Sequence, residues 1–276
     1  ISLGLVGSEM CIRDRFIAIA RVTGLLLQDV IEGGESQRIE NLLLREFNKR
    51  NYVLPLKPSQ EEISKRTKER EKRELKGAIV LEPIVGLHTS PVVYLDFKSL
   101  YPSIMITYNI CPTTFIIDES EIDERDIIVA PSGAKFISQK IREGIIPRIV
   151  RQLIKERDEV KKEMKREKDP IRKKHLYNSQ YALKVVANAF YGYMGYIRAR
   201  LYILDIANAI TSYGRFWITK IKDIIEKKTP YKVIYGDTDS VMVRVDSKDL
   251  KEAFEVGKQL EKLVNRNTEG AVKIKI

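Results

Sequence analysis

Three aspartates carry the clearest chemistry in this sequence. Asp96 closes the apolar run Pro91-Val-Val-Tyr-Leu-Asp96, and Asp237 and Asp239 stand in a Gly-Asp-Thr-Asp-Ser stretch between two further apolar runs. Taken singly, an acid at a strand end serves as a turn residue or a helix N-cap. Taken together, carboxylates from separate strands of one sheet can converge on a pair of hard cations. Such oxygen ligands suit Mg²⁺, which keeps waters and substrate phosphates, and two ions about 4 Å apart clamp an in-line phosphoryl transfer. Asp237 and Asp239 cannot do this alone, so the reading depends on Asp96 packing beside them. Softer metal chemistry is disfavoured. The chain has two cysteines, Cys11 and Cys111, with no CxxC pair, and two histidines, His88 and His175. A disulfide framework is excluded and a zinc site disfavoured, and any metal must rest on carboxylates, which points to Mg²⁺ or Mn²⁺.

A second set of residues suits a phosphate ligand. Lys184 sits in a small, apolar stretch, Ala182-Leu-Lys-Val-Val-Ala-Asn-Ala-Phe190. Lys184, Asn188 and Tyr191 fall at i, i+4 and i+7 and so share one helical face. A cation, an amide and an aromatic ring aligned this way can bind a triphosphate and a base; the plainer reading is a lysine snorkelling from a core edge. Arg157 and Lys161 also share a helical face. There the plainer reading is a solvated helix laced with ion pairs, since Glu156, Asp158, Glu159 and Glu163 are neighbours.

The elements that must position these groups can be read from the pattern. Residues 16–51 are expected to be helical, with Leu42, Leu43, Leu44 and Phe47 as the apolar stripe. Residues 60–76, almost all charged, read as a solvated linker or an exposed helix. A buried strand ending at Asp96 is followed by a helix start near Pro102. Residues 138–168 and 171–191 read as a helical hairpin about the Asp169-Pro170 turn, the second helix closed by Gly192. A helix over 202–227, a β-hairpin flanking the Gly-Asp-Thr-Asp-Ser turn and a helix near 248–265 complete the pattern. The fold class is α+β: an antiparallel sheet carrying the acids, with helices packed on it and an antiparallel helical hairpin inserted between its strands.

Composition bounds the partners. The 276 residues are 43% hydrophobic, enough for one large or two smaller cores, and the formal net charge is +11. That excess suits a polyanion such as nucleic acid, or reflects a lysine-rich proteome. No apolar run approaches the roughly 20 residues of a membrane span. The first segment begins on Ile1 and resembles a translated sequencing-adapter read-through, so residues 1–15 are expected to be foreign to the protein. The closing Ala271-Val-Lys-Ile-Lys-Ile276 reads as a strand interrupted mid-course, and truncation at both ends is expected.

Three motifs carry a family resemblance. Asp96-Phe-Lys-Ser-Leu-Tyr-Pro-Ser103 resembles motif A of the family B DNA polymerases, Lys184-Val-Val-Ala-Asn-Ala-Phe-Tyr-Gly192 resembles motif B, and Tyr235-Gly-Asp-Thr-Asp-Ser240 resembles motif C. They occur in the family's order, and the likeness is nearest to archaeal enzymes. The resemblance implies palm and fingers domains: a helical segment and charged linker over 16–75, palm over 76–137, fingers over 138–195, and palm again over 196–276. It implies template-directed transfer of a deoxynucleotide to a primer 3′-hydroxyl by two Mg²⁺ ions, with Mn²⁺ as substitute.

Asp96, Asp237, Asp239 and Lys184 would be catalytic, and Asp96, Phe97 and Asp237 would hold metal. Arg157, Lys161, Lys184, Asn188, Ser99, Leu100, Tyr101 and Tyr191 would bind the incoming dNTP, Tyr101 by lying under the deoxyribose and rejecting a 2′-hydroxyl. Gly77, Gly192 and Thr238 would contact DNA. The implied partners are primer–template DNA, dNTPs and, for a full-length protein, a sliding clamp, with no membrane, in the nucleoid of an archaeal or bacterial cell. The chain departs from the family at Leu75, where an aromatic residue usually precedes the small pair Gly77-Ala78, and at Cys111, where serine is usual. Neither an exonuclease motif nor the lysine- and tyrosine-rich thumb motif occurs. Two other readings stand beside this one: a non-catalytic polymerase-like module that only binds nucleic acid, and a protein-primed polymerase, disfavoured by the lack of an insertion beyond the hairpin.

Overall fold

In the computed structural model the described residues are 3–118, 122–247 and 249–276, with residues 3–11 described by their backbone alone. Part of the segment read as foreign, and the start of the helix expected from residue 248, therefore lie outside the described residues. The chain runs α1 (Leu3–Thr23), α2 (Leu27–Glu32), α3 (Glu35–Asn48) and α4 (Gln60–Arg73) before β1 (Val80–Leu81) and β2 (Val92–Phe97). Next come α5 (Leu100–Thr107), the short pair β3 (Ile127–Val129) and β4 (Lys135–Ile137), and the long helices α6 (Ile145–Arg166), α7 (Pro170–Met194) and α8 (Leu204–Lys228). The hairpin β5 (Lys232–Asp237) and β6 (Ser240–Arg244), α9 (Leu250–Asn267) and β7 (Ile274–Lys275) close the chain. The residues divide into two compact units, one of 1–74, 111–113 and 143–204, the other of 75–110, 114–142 and 205–276.

The first unit is helical. The single helical segment expected over 16–51 is three helices, broken at glycines. Gly24 takes φ +74°, and a Cβ there would meet Arg45 Nη1 at 2.7 Å. Asn41 Nδ2 donates to the Thr23 carbonyl left at the end of α1, at 2.9 Å. On α3, Ile39, Leu42, Leu43 and Phe47 are buried, the i, i+3, i+4, i+8 stripe of an amphipathic helix, whereas Leu44, expected in the stripe, falls off that face and is exposed. Residues 60–73 take the helical option, with Ser59 accepting from the Glu62 amide and no residue buried. Arg66 anchors this helix by donating to the carbonyls of Ile197 and Ala199 at 2.9 and 2.8 Å.

The helical hairpin consists of α6 and α7. Its turn is set by Asp169, which accepts from the Ile171 amide while Pro170 opens α7. The first helix starts at Ile145 rather than 138, because the chain leaving β4 is held in turns, the Ser138 amide donating to the Asp126 carbonyl at 2.7 Å and the Ile141 amide to the Ser138 carbonyl at 3.0 Å. The second does not close at Gly192. Glycine costs a helix interior about 1 kcal/mol, but Tyr193 and Met194 are buried beyond it, and the helix runs on to a cap at Gly195.

The second unit is built on a five-stranded antiparallel sheet in the order β1-β5-β6-β2-β7. Along β2, Val93, Leu95 and Phe97 are buried, while Val92 and Tyr94 are exposed and Asp96 is half-buried. The strand expected to be buried is therefore covered on one face only, with the period-2 alternation of such a sheet. Against β2 packs α9, close enough that a Cβ on Gly257 would meet Val93 Cγ1 at 3.0 Å. The hairpin is as tight at Gly236, where a Cβ would lie 2.7 Å from Leu81 Cδ1 and 3.1 Å from the Ser240 carbonyl oxygen. Gly236→Ala should therefore lower unfolding stability by about 1–3 kcal/mol, read by chemical denaturation; an unchanged midpoint would refute this packing.

Candidate active site

The sheet register decides which residues meet. Asp96 on β2 is the direct partner of Ser240 on β6, and Ser240 is the direct partner of Asp237 on β5. Directly opposed residues of antiparallel strands project on the same face, so Asp96, Ser240 and Asp237 form one row across three strands. The two carboxylates are two strand spacings apart, about 10 Å between their Cα atoms, with the small, buried Ser240 between them. The row continues to Lys275 on β7, the direct partner of Asp96, whose Nζ lies 3.3 Å from Asp96 Oδ2.

The turn at the end of β5 is pinned on both sides. Thr238 adopts φ 51°, donates its hydroxyl to Asp237 Oδ1 at 2.8 Å, and donates its amide to the Ile79 carbonyl at 3.1 Å. Asp239 accepts from the Phe97 amide through its backbone carbonyl at 2.8 Å, tying the turn to the end of β2. Asp237 and Asp96 are thus brought to one row, and the Asp239 backbone joins them, its amide donating to the Asp237 carbonyl and its carbonyl accepting from the Phe97 amide. Among the described residues no three His, Cys, Asp or Glu side chains form a metal cluster. The pair Asp96 and Asp237 is an all-oxygen donor set, and Mg²⁺ is commonly held by one or two carboxylates with substrate phosphates and water, so these residues fit that ion.

Beyond Asp96 the chain turns sharply. Ser99 takes the left-handed conformation at φ 53°, ψ 62° and precedes α5 without capping it by its side chain. Ser103 donates its amide to the Ser99 carbonyl at 2.9 Å and its hydroxyl to the Lys98 carbonyl at 3.1 Å. Leu100 is buried. Tyr101 lies against α8 at Gly214, where a Cβ would approach Tyr101 Cε1 to 3.3 Å. Gly214 accommodates the ring of a candidate residue and could not be found from the sequence, since a glycine inside a helix gives no sign of the ring it faces.

The same helix holds the stretch before β1. Asn208 Oδ1 accepts from the Lys76 amide at 3.2 Å, and Thr211 Oγ1 donates to the Lys76 carbonyl at 2.8 Å. Arg215 Nη1 donates to the carbonyls of Lys76 and Gly77 at 2.9 and 2.5 Å. These residues stand at i, i+3 and i+7, one face of α8. Gly77 has open space where a side chain would project.

The remaining candidates belong to the helical unit. Arg157 Nε donates to Gln180 Oε1 at 3.4 Å, which sets α6 and α7 in register. Lys161 follows one turn along α6 and Lys184 one turn along α7, in opposite directions. The three cations therefore spread over about 12 Å of the hairpin axis. Burial draws the Arg157 guanidinium below its ordinary value, opposed by the neighbouring Asp158 carboxylate; a guanidinium keeps its charge in proteins regardless. Lys184, Asn188 and Gly192 are exposed and Tyr191 is half-buried, so the i, i+4, i+7, i+8 set faces outward.

Comparison with known proteins fits this arrangement. DNA polymerase family B matches residues 25–276. The DNA polymerase delta catalytic subunit of Dictyostelium discoideum is 36% identical over 266 residues, covering 93% of this chain and 23% of its own length. That of Caenorhabditis elegans is 36% identical over 263 residues, with 91% and 24% covered. The solved structure of the family B DNA polymerase from the hyperthermophilic archaeon Pyrobaculum calidifontis superposes with a TM-score of 0.74 at 33% identity, over all of this chain and 33% of that one. The chain thus spans about a quarter of the length of these curated relatives. With the carboxylate row, the helical hairpin and a match over nearly its whole length, the chain belongs to DNA polymerase family B.

Proposed function

We propose that this chain carries the DNA-directed DNA polymerase activity of its family: template-directed transfer of a deoxynucleoside monophosphate from a dNTP to a primer 3′-hydroxyl. The observation that carries the proposal is the row Asp96–Ser240–Asp237, which aligns two carboxylates on one face of the sheet. Asp96, Asp237 and the Phe97 carbonyl would hold two Mg²⁺ ions, with Mn²⁺ as substitute, which when bound supply charge neutralisation and a more acidic primer hydroxyl. The 3′-hydroxyl loses its proton to solvent water as its oxygen attacks the α-phosphorus, and the bond to the bridging oxygen of the departing pyrophosphate breaks. Arg157, Lys161 and Lys184 neutralise the triphosphate, Asn188 contacts phosphate, and Lys184 gives a proton to the leaving pyrophosphate. Amides at Ser99 and Leu100, at the start of α5, suit the terminal phosphates.

Sugar selection falls to Tyr101, whose ring rests on Gly214; Tyr191 lines the nascent base pair. Gly77, Gly192 and Thr238 contact the DNA, and the open space at Gly77 supports close approach of a strand there. Asp239 serves the catalytic row by fixing the turn that carries Asp237, its carbonyl accepting from the Phe97 amide. In a longer protein, a sliding clamp and residence on the chromosome of an archaeal or bacterial cell belong to this reading. No helix among the described residues is long and apolar enough to cross a membrane. A second reading, a polymerase-like module that binds nucleic acid without catalysis, draws on the net charge of +11 and on the lysine paired with Asp96.

The deciding experiment is single-nucleotide primer extension with Mg²⁺ at high protein concentration, with DNA binding measured in parallel. Asp237→Asn should lower extension at least about a hundredfold and leave DNA affinity within about twofold; equal turnover would overturn the proposal, and DNA binding without extension in the parent chain would favour the binding module. Lys184→Ala should slow the single-turnover rate about a hundredfold, and an unchanged rate would remove its proton-donating role. Tyr101→Ala should raise ribonucleotide incorporation relative to deoxyribonucleotide by about tenfold or more, measured as the ratio of kcat/KM values. Unaltered discrimination would refute its role at the sugar.

A further inference from the structure

The carboxylate row contains a cation that the proposed reaction does not use. Lys275 is the direct cross-strand partner of Asp96, and its ammonium lies 3.3 Å from Asp96 Oδ2. Its place is built rather than incidental. Asn265 on α9 accepts from the Ile274 amide at 2.9 Å and donates to the Ile274 carbonyl at 3.0 Å, gripping the preceding residue at both its backbone groups. Ile274 and Val272 are buried beneath, and the Lys98 amide donates to the Lys273 carbonyl at 2.7 Å. With the backbone so held, strand alternation projects residue 275 on the same face as Asp96.

We propose that Lys275 is an internal counter-cation for Asp96 that competes with the divalent ion and so sets this chain's metal requirement. The inference rests on the reading of Asp96 as a metal ligand. The ammonium satisfies one carboxylate oxygen and places a positive charge where a divalent cation would approach, so binding of the ion requires the lysine to move away. The side chain can do so. It is long, flexible and 60% exposed, against 29% for Asp96, and exposed ion pairs are weak and screened by salt. The effect is therefore a tuning of metal affinity and not a block.

The test is direct binding of Mn²⁺ alone to the full chain, followed by electron paramagnetic resonance of the free ion, without DNA or nucleotide. Lys275→Met should tighten binding about fivefold at low ionic strength, the size of a weak exposed pair; Lys275→Arg should bind as the parent does. The difference should shrink when KCl is raised. Asp96→Asn should weaken Mn²⁺ binding in both backgrounds. If Lys275→Met binds Mn²⁺ no better than the parent while Asp96→Asn loses it, the competition is wrong and the metal reading stands. If Asp96→Asn leaves binding unchanged in both backgrounds, the metal reading at Asp96 fails and takes this inference with it. Lys275→Gln, which keeps a polar side chain, gives a second charge-free variant should the methionine disturb the strand.

Discussion

The register of β2, β6 and β5 is the constraint on which the rest of the second unit depends. Strand side chains alternate with a period of two, so a slip of one residue in either pairing would send Asp96 or Asp237 to the opposite face. The pairing Asp96–Ser240–Asp237 avoids that. Register is set by burial: Val93, Leu95 and Phe97 on β2, and Val241 and Val243 on β6, must turn inward. The acids take the other face because the apolar residues claim this one.

Two like charges in one row repel, and the surrounding structure restrains their positions. On one side, β1 pairs with β5 opposite Asp237, and the stretch leading into it is held by Asn208, Thr211 and Arg215 on α8. On the other side, β7 pairs with β2 opposite Asp96 and is gripped by Asn265 on α9. The short outer strands thus serve as backbone staples, each anchored by a side chain of a packed helix, and the outermost brings a compensating lysine. The tight turn between β5 and β6 is left no slack, since its backbone is bonded to Ile79 and Phe97.

The helical unit follows a different rule. Its core is the contact of α7 with α1, α3 and α6, and its charged residues are set by helical period. Along α6 the buried residues end at Leu153. Arg157 lies just beyond, where a guanidinium can reach across to Gln180 while remaining part of a charged face. On α7 the exposed Lys184 and Asn188 share a face because 3.6 residues complete a turn, whatever the neighbours.

Much was legible in the sequence because it is local. The strand that carries Asp96, the Asp237–Ser240 turn, the helical hairpin about Asp169-Pro170 and the shared face of Lys184 and Asn188 follow from an apolar run, turn chemistry and helical period, though the run did not show that Val92 and Tyr94 face outward. The order of the three motifs sufficed to identify the family. What the sequence left open depends on contacts between residues far apart along the chain. Nothing near Ser240 reveals that it stands between the two acids, nothing near Lys275 reveals that its partner is Asp96, and Gly214 shows its purpose only once the Tyr101 ring lies on it. The ends of α1 and α7 belong to the same class, because a glycine stops a helix or lets it continue according to what its neighbours can bury. Pairing across the sheet and packing between distant elements are properties of the folded chain, and tertiary structure alone decided them.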